Sequence, residues 1–307
     1  YLAEHIFLNR RVALKVLPSR LAADKNGVNR FYREARAVAA LDHPNVVRAY
    51  DVAFENNAHF LVLEYIEGRT FEELLNEAGG RLPVNIACEY VLQAAAGLQH
   101  AHEKGISHRD IKPANLLVNP EGVVKILDMG LAKFFQNSPT DSQEPTPVMG
   151  TADYIAPEQA IACSAADHRA DIYSLGATLY HLVTGEPPFH GSVAAKLIAH
   201  QLHDVPTAHE IHEDVPEGIS DIIAKMMAKE PVDRYQTAAD VVQALLPFTE
   251  HPPMAATSSV ENSDTVASTH ETVVAVQPNP NQHKRLVLGL WLGIILLIVV
   301  IAAMLLR

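Results

Sequence analysis

The chain has 307 residues, 24 Lys+Arg against 36 Asp+Glu for a formal charge of −12, 48% hydrophobic residues and two cysteines. At ~100–200 residues per domain, this length allows one large or two modest globular units with a buried core. The acidic balance and the absence of a basic block argue against a nucleic-acid binder, because such affinity needs clustered Lys and Arg. Cys88 and Cys163 make a poor disulfide framework and suit a reducing compartment. His200, His203, His209 and His212 cluster loosely, but no Cys or carboxylate completes a metal-ligand spacing, so they read as surface or core histidines.

In chain order, strand patterns are predicted at His5–Leu8 and Val12–Leu17, the second closed by Pro18. Asn29–Leu41 turns helical, with Phe31, Ala35, Val38 and Leu41 near one face, until Asp42-His43-Pro44-Asn45 stops it. Strands follow at Val46–Val52 and Phe60–Tyr65, ended by Glu67-Gly68. Pro83 opens a long helix carrying Ile86, Tyr90, Val91, Ala94, Leu98 and Ala101, which Gly105 closes. Leu116–Val118 and Val123–Leu127 read as a hairpin, Gln136–Val148 as a mobile Ser/Thr/Pro-rich loop, and Asp167–Thr184 and Ser220–Leu246 as helices.

Residues 249–285, rich in Pro, Ser, Thr, Asn and Ala, are predicted to be a disordered juxtamembrane linker. Leu286–Leu306 is then an uncharged apolar run, and ~20 such residues match the ~30 Å hydrocarbon core of a bilayer, so a transmembrane helix is expected over 286–306. Lys284 and Arg285 just before it put the N-terminal part on the cytoplasmic side of the membrane by the positive-inside tendency, with Arg307 a small counterweight. Gly289 and Gly293 form a small-xxx-small pair that suits a homodimer, though Gly is common in such helices.

The chemistry concentrates in His108-Arg109-Asp110-Ile111-Lys112-Pro113-Ala114-Asn115, followed by Asp128-Met129-Gly130 and Ala156-Pro157-Glu158, with Val12-Ala13-Leu14-Lys15 and Glu34 upstream. In this order the set resembles the protein-kinase signature over residues 1–248. Gly150-Thr151-Ala152-Asp153-Tyr154-Ile155-Ala156-Pro157-Glu158-Gln159 is similar to the bacterial, eukaryotic-like (Hanks-type) Ser/Thr kinase family. The residue types suit phosphoryl transfer, which needs neutralised phosphate oxygens and an aligned nucleophile. Lys15 on a strand offers a cation to the α/β-phosphates, and Glu34 is expected to hold it by an ion pair. Asp128 and Asn115 offer hard oxygen ligands to Mg²⁺, with Mn²⁺ as the alternative ion. Asp110 accepts or orients the proton of the attacking hydroxyl, and Lys112 lies near enough to steady the transferring group.

The resemblance implies an α+β, two-lobed kinase fold: a β-rich N-lobe over 1–66 lacking the glycine-rich loop, and a mainly helical C-lobe over 67–248. It implies ATP as phosphoryl donor and protein Ser/Thr hydroxyls as acceptors. Ala13 and Leu117 match the apolar walls of the adenine site, Glu64, Tyr65 and Ile66 the hinge, and Leu63 the residue guarding the back pocket. A period-2 strand would also bury Leu63 without any nucleotide. Asp171 matches the brace of the catalytic-loop backbone, and Glu158 with Arg234 a buried pair. Lys112-Pro113-Ala114-Asn115 and Thr151 resemble the Ser/Thr-specific pattern. Arg109 beside Asp110 suggests control by phosphorylation of the following loop, at Ser138, Thr140, Ser142 or Thr146, of which Thr146 and Thr140 are favoured. Such loops are also Ser/Thr-rich simply through solvation.

Two departures matter. The glycine-rich loop would lie just before Tyr1, which reads as truncation, and without it ATP binding is expected to be poor. Met129 stands where the family usually has Phe, an apolar exchange compatible with core packing. The rival reading is a pseudokinase or scaffold without turnover, against which Lys15, Glu34, Asp110, Asn115 and Asp128 all stand. A small-molecule phosphotransferase is disfavoured by Ala156-Pro157-Glu158.

Overall fold

The computed structural model describes residues 1–249 apart from 7, 19–21, 23, 57, 130–150 and 162–165. Its N-terminal part is an antiparallel sheet of β1 (Leu2–His5), β2 (Arg10–Val16), β3 (Ala49–Glu55) and β4 (Ala58–Glu64) in the order β1-β2-β4-β3. Helix α1 (Lys25–Ala39) starts where Asp24 accepts hydrogen bonds from the Asn26 and Gly27 amides, satisfying two of the donors that a helix start leaves open. Phe31 and Ala35 on α1 share one small core with Leu61 and Leu63 of the sheet and with Leu17 and Val47 beside it.

Two strand expectations shift. The first strand lies at Leu2–His5, and Ile6 and Leu8 are exposed on the turn to β2, where Asn9 has φ 46°. The third begins at Ala49, because Val46 bridges to Ile126 of the larger lobe and Val47 donates its amide to the Ile126 carbonyl at 3.1 Å.

After β5 (Arg69–Thr70), α2 (Phe71–Glu77) opens with a reciprocal Thr70/Glu73 capping box. Helix α3 (Val84–Glu103) buries Ala87, Val91, Ala94, Leu98 and Ala101 completely, a 3.5-residue stripe one position round from Ile86 and Tyr90, which are half-buried. The hairpin of β6 (Leu116–Val118) and β7 (Val124–Ile126) pairs with β5. Short α4 (Pro157–Ile161) precedes α5 (Arg169–Thr184), which is buried on nearly every side, as an apolar helix in the centre of a domain must be. Helix α5 closes at Gly185, φ 87°, a left-handed C-cap.

Helices α6 (Val193–Leu202), α7 (Ala208–Ile211), α8 (Glu217–Met226) and α9 (Ala238–Leu245) complete the larger lobe. The single helix expected over 220–246 is thus two, interrupted by a 3₁₀ turn at Pro231–Asp233, since proline lacks the amide a continuous helix needs. Gly176 on α5 lets α8 approach: a Cβ there would stand 2.7 Å from Met226 Cβ. Cys88 is a buried free thiol whose pKa burial pushes up to about 12, while Cys163 lies outside the described residues.

Among the described residues no helix is long and apolar enough to cross a membrane. The expected linker beyond Thr249 and the span at 286–306 lie outside the described residues, as do Gly130, Gly150 and the loop hydroxyls at 138, 140, 142 and 146.

Candidate active site

The site is built where the sheet faces the β6–β7 hairpin. Alternation along β2 puts Ala13 and Lys15 on one face, and their cross-strand partners on β4 are Leu63 and Leu61. Lys15 Nζ lies 2.7 Å from Asp128 Oδ2, both side chains being partly exposed. Glu34, the partner expected for Lys15 from sequence, sits half-buried on α1.

The loop 108–115 is fixed by its own backbone chemistry. Lys112 is extended, Pro113 supplies the first position of a 3₁₀ turn, and the Asn115 amide donates back to the Lys112 carbonyl at 2.9 Å. That turn brings Asn115 Nδ2 within 3.0 Å of Asp110 Oδ2 and 2.7 Å of the Asp110 carbonyl. Lys112 Nζ lies 2.8 Å from the same Asp110 Oδ2. Asp110, Lys112 and Asn115 therefore meet on one carboxylate oxygen, as their spacing implies.

His108 links this group to Asp128. Its Nε2 donates to the Leu127 carbonyl at 2.7 Å, which leaves Nδ1 to accept the Asp110 amide at 3.2 Å. The Leu127 amide in turn donates to the Asn115 carbonyl at 2.9 Å. Both Arg109 (φ 68°) and Asp128 (φ 55°) occupy the left-handed region, which non-glycine residues adopt only when their surroundings over-determine it. For Arg109 the surroundings include Asp171, wholly buried, whose Oδ1 accepts the Arg109 amide at 2.6 Å and whose Oδ2 accepts the His108 amide at 2.8 Å. Burial alone would raise the Asp171 pKa. The His102 bond at 2.9 Å, the nearby His108 and the Arg109 amide outweigh it and hold the carboxyl below its ordinary value.

Around the expected nucleotide site, Leu63 is nine-tenths buried within the smaller core, which Ala13 and Ile66 also border. Leu117 on β6 lies opposite Lys125 on β7 and against Gly68, where a Cβ would stand 2.3 Å from the Val118 carbonyl oxygen. Glu64 does more than its sequence position suggests: its carboxylate pairs with Lys125 Nζ at 3.1 Å and accepts the Arg48 amide at 3.3 Å. Spacing gives no signal of that contact, because Lys125 belongs to the other lobe. Met129 is 3% exposed and belongs to the main core, so the apolar exchange packs.

For a divalent cation, the donors expected from sequence are Asp128 and Asn115. Asn115 spends its Nδ2 on Asp110, leaving the carbonyl oxygen as its acceptor. Among the described residues no three His, Cys, Asp or Glu side chains converge as a metal site. Two hard oxygen donors beside a cleft fit Mg²⁺, which binds through one or two protein oxygens and completes its shell with phosphate and water.

The segment around Ala156-Pro157-Glu158 is anchored to the larger lobe. Arg234 meets Glu158 in a bidentate pair at 2.7 and 2.8 Å, Lys196 pairs with Asp153, and the Tyr154 hydroxyl meets His181 Nδ1 at 2.6 Å. Of Thr151, the side chain lies outside the described set.

Residues 1–246 match the family model described as the protein kinase domain. The chain belongs to the protein kinase family. It is 38% identical over 276 residues to a probable serine/threonine-protein kinase of Clostridium perfringens, CPE1738, covering 89% of this chain and 40% of that protein. It is 39% identical over 242 residues to the serine/threonine-protein kinase PrkC of Bacillus subtilis, covering 78% of this chain and 37% of the relative. The chain thus spans about two fifths of the length of the curated relatives it matches. Among solved structures it is similar to the kinase domain of Mycobacterium tuberculosis PknI, with a TM-score of 0.64 at 27% identity over 81% of this chain and 90% of that one. The β-rich smaller lobe and helical larger lobe are those of this kinase family.

Proposed function

We propose that this kinase domain transfers the γ-phosphoryl group of ATP to Ser or Thr hydroxyls of proteins. The observation that carries the reading is the meeting of Lys112 and Asn115 on Asp110 Oδ2, within a loop tied through His108 to the Lys15–Asp128 pair. As the substrate hydroxyl oxygen bonds to the γ-phosphorus, the bond from that phosphorus to the β,γ-bridging oxygen breaks and ADP leaves. Asp110 takes the hydroxyl proton and later releases it to solvent. Lys112 shifts from the carboxylate towards the charge on the transferring group, and Lys15 moves from Asp128 to the α/β-phosphates. Asp128 and Asn115 would hold Mg²⁺, which when bound neutralises phosphate oxygens. Ala13, Leu63, Leu117 and the hinge Glu64–Ile66 would enclose the adenine.

The apolar run 286–306 supports a membrane tether with the kinase domain on the cytoplasmic face, where ATP is available. Fractionation of cells expressing the chain tests this: recovery in the membrane pellet, lost on deleting 286–307, supports the tether, and a soluble full chain overturns it.

Autophosphorylation with labelled ATP and Mg²⁺ tests the activity, comparing the chain with a glycine-rich loop supplied ahead of Tyr1, the chain alone, and Asp110→Asn. Label on Ser or Thr that Asp110→Asn lowers ~10²–10⁴-fold is the expected result. Nucleotide binding without label in the loop-supplied protein would leave the scaffold reading instead.

A further inference from the structure

The segment that follows Ala156-Pro157-Glu158 contains a polar side chain to which neither the motif set nor the chemistry above gives a role. Gln159, on the first turn of α4, is 5% exposed. Its Nε2 donates to the carbonyl of Arg109 at 3.0 Å, fifty residues away in the chain, and its Oε1 accepts the Ala156 amide at 3.3 Å.

The Arg109 carbonyl shares a peptide plane with the Asp110 amide. That plane is therefore gripped on both edges, the carbonyl by Gln159 and the amide by His108 Nδ1. The grip falls at the residue whose backbone sits at φ 68°, between its own amide on Asp171 and its guanidinium on the Ala166 carbonyl at 2.9 Å. A peptide plane that rotates there carries the Asp110 Cα, and with it the carboxylate, away from Lys112 and Asn115.

We propose that Gln159 is a positioning residue for phosphoryl transfer: by holding the Arg109 carbonyl it fixes the Arg109–Asp110 peptide and couples the proton-accepting carboxylate to the segment that begins at Ala156. This rests on the kinase reading above. The plainer role, capping α4, uses only the Oε1 contact to Ala156, a half capping box. The Nε2 contact to Arg109 is what goes beyond it.

Gln159→Glu separates the two roles. A carboxylate still accepts the Ala156 amide, but turns an acceptor towards the Arg109 carbonyl; once protonated, its hydroxyl donates there again. In the form of the protein active in the phosphotransfer assay, kcat of Gln159→Glu is expected to fall tenfold or more at pH 8, with KM for ATP unchanged. The deficit relative to the unmodified protein shrinks towards pH 6. The ionisable groups bonded or adjacent to this network, Arg109, Asp171, His108 and Glu158, are common to both proteins, so the ratio isolates residue 159. Gln159→Met, of similar length without either polar group, is expected to lose kcat at both pH values while still binding nucleotide, and it carries the test alone if the Glu variant does not fold.

Wild-type kcat in the variant that folds, or a Glu-variant deficit of the same ratio at both pH values, overturns the proposal. Inactivity of the unmodified protein itself would instead count against the kinase reading, so the two failures are distinct.

Discussion

Arg234 Nη1 and Nη2 lie 2.7 and 2.8 Å from Glu158 Oε1 and Oε2, and the Arg234 side chain is wholly buried while that of Glu158 is 18% exposed. The remaining Arg234 donors go to the carbonyls of Ala228, Lys229 and Arg169, so the guanidinium is fully engaged beneath the segment around Ala156-Pro157-Glu158.

Removing one member strands a buried charge, at a cost of about 3–5 kcal/mol. The asymmetry of exposure gives the order: Glu158→Leu destabilises more than Arg234→Met, because the stranded carboxylate retains some water and the stranded guanidinium has none. Urea denaturation of the two variants checks this, and equal midpoints would show that exposure does not decide the cost.

Lys15 and Asp128 form a pair of the opposite kind, with side chains 26% and 41% exposed. Exposed pairs contribute about 0–1 kcal/mol, so Lys15→Met and Asp128→Asn should melt near the unmodified protein while losing phosphotransfer. Thermal melting and label incorporation on the same samples test it; a large drop in melting temperature would make these residues structural.

Gly68 stands where the chain leaves the hinge, and a Cβ there meets the Val118 carbonyl oxygen and Leu117 Cδ2 at 2.3 and 2.7 Å. Backbone cannot yield as a flexible side chain does, so Gly68→Ala pushes β6 away, at about 1–3 kcal/mol for such overpacking. Because Leu117 moves with β6, nucleotide affinity falls as well. Calorimetric titration with an ATP analogue checks the second effect; unchanged affinity would detach Leu117 from the pocket.

His200 is fully buried, hydrogen-bonded to the Tyr173 hydroxyl at 2.8 Å, and its pKa is lowered to about 4 first by burial and then by Lys229. The unfolded chain therefore binds this proton first as pH falls. The contribution to stability is intact above the unfolded value near 6.5 and is lost progressively down to about 4. At ~1.4 kcal/mol per pH unit the loss is about 3 kcal/mol across that window. His43 and His181, also lowered by burial, act in the same direction. Unfolding free energies at pH 7.5 and 5 should differ less in His200→Gln than in the unmodified protein; an unchanged difference would remove His200 as a source.

What the sequence made legible follows from how each signal arises. Asp110, Lys112, Asn115 and Asp128 are polar residues at fixed spacing on a short loop and hairpin, and local backbone geometry alone nearly suffices to bring the first three together. The buried stripe of α3 is readable from period at Val91, Ala94, Leu98 and Ala101, while Ile86 and Tyr90, equally apolar, fall at its half-buried edge. Glu64–Lys125 and Gln159–Arg109 were not readable. Each joins distant segments through a residue type that is ordinarily solvated, so nothing in the local pattern marks it. Ile6 and Leu8 have the composition of a strand core yet sit on an exposed turn, so the first strand lies earlier than the pattern suggests. Helices α2 and α6 were missed for want of long apolar periodicity, and their capping residues, Thr70 and Ser192, become evident only with the helices in view.

The connection between α1 and β3 belongs by its bonds to the larger lobe: the Asn45 carbonyl accepts the Ile126 amide, Asn45 Nδ2 reaches the Val124 carbonyl at 2.8 Å, and Val46 bridges to Ile126. The connection after α1 is thus where the smaller lobe is tied to the larger. A rotation of the sheet about this tie would leave Asn45 and Val46 in place and displace most the strand ends farthest from it. Such a rotation would shift Lys15, on the sheet, relative to Asp128, while His108, Asp110 and Asn115 are tied to one another within the larger lobe. Of the two charged groups the proposed transfer uses, Lys15 is mounted on the hinged sheet and Asp110 on the larger lobe that carries the hinge.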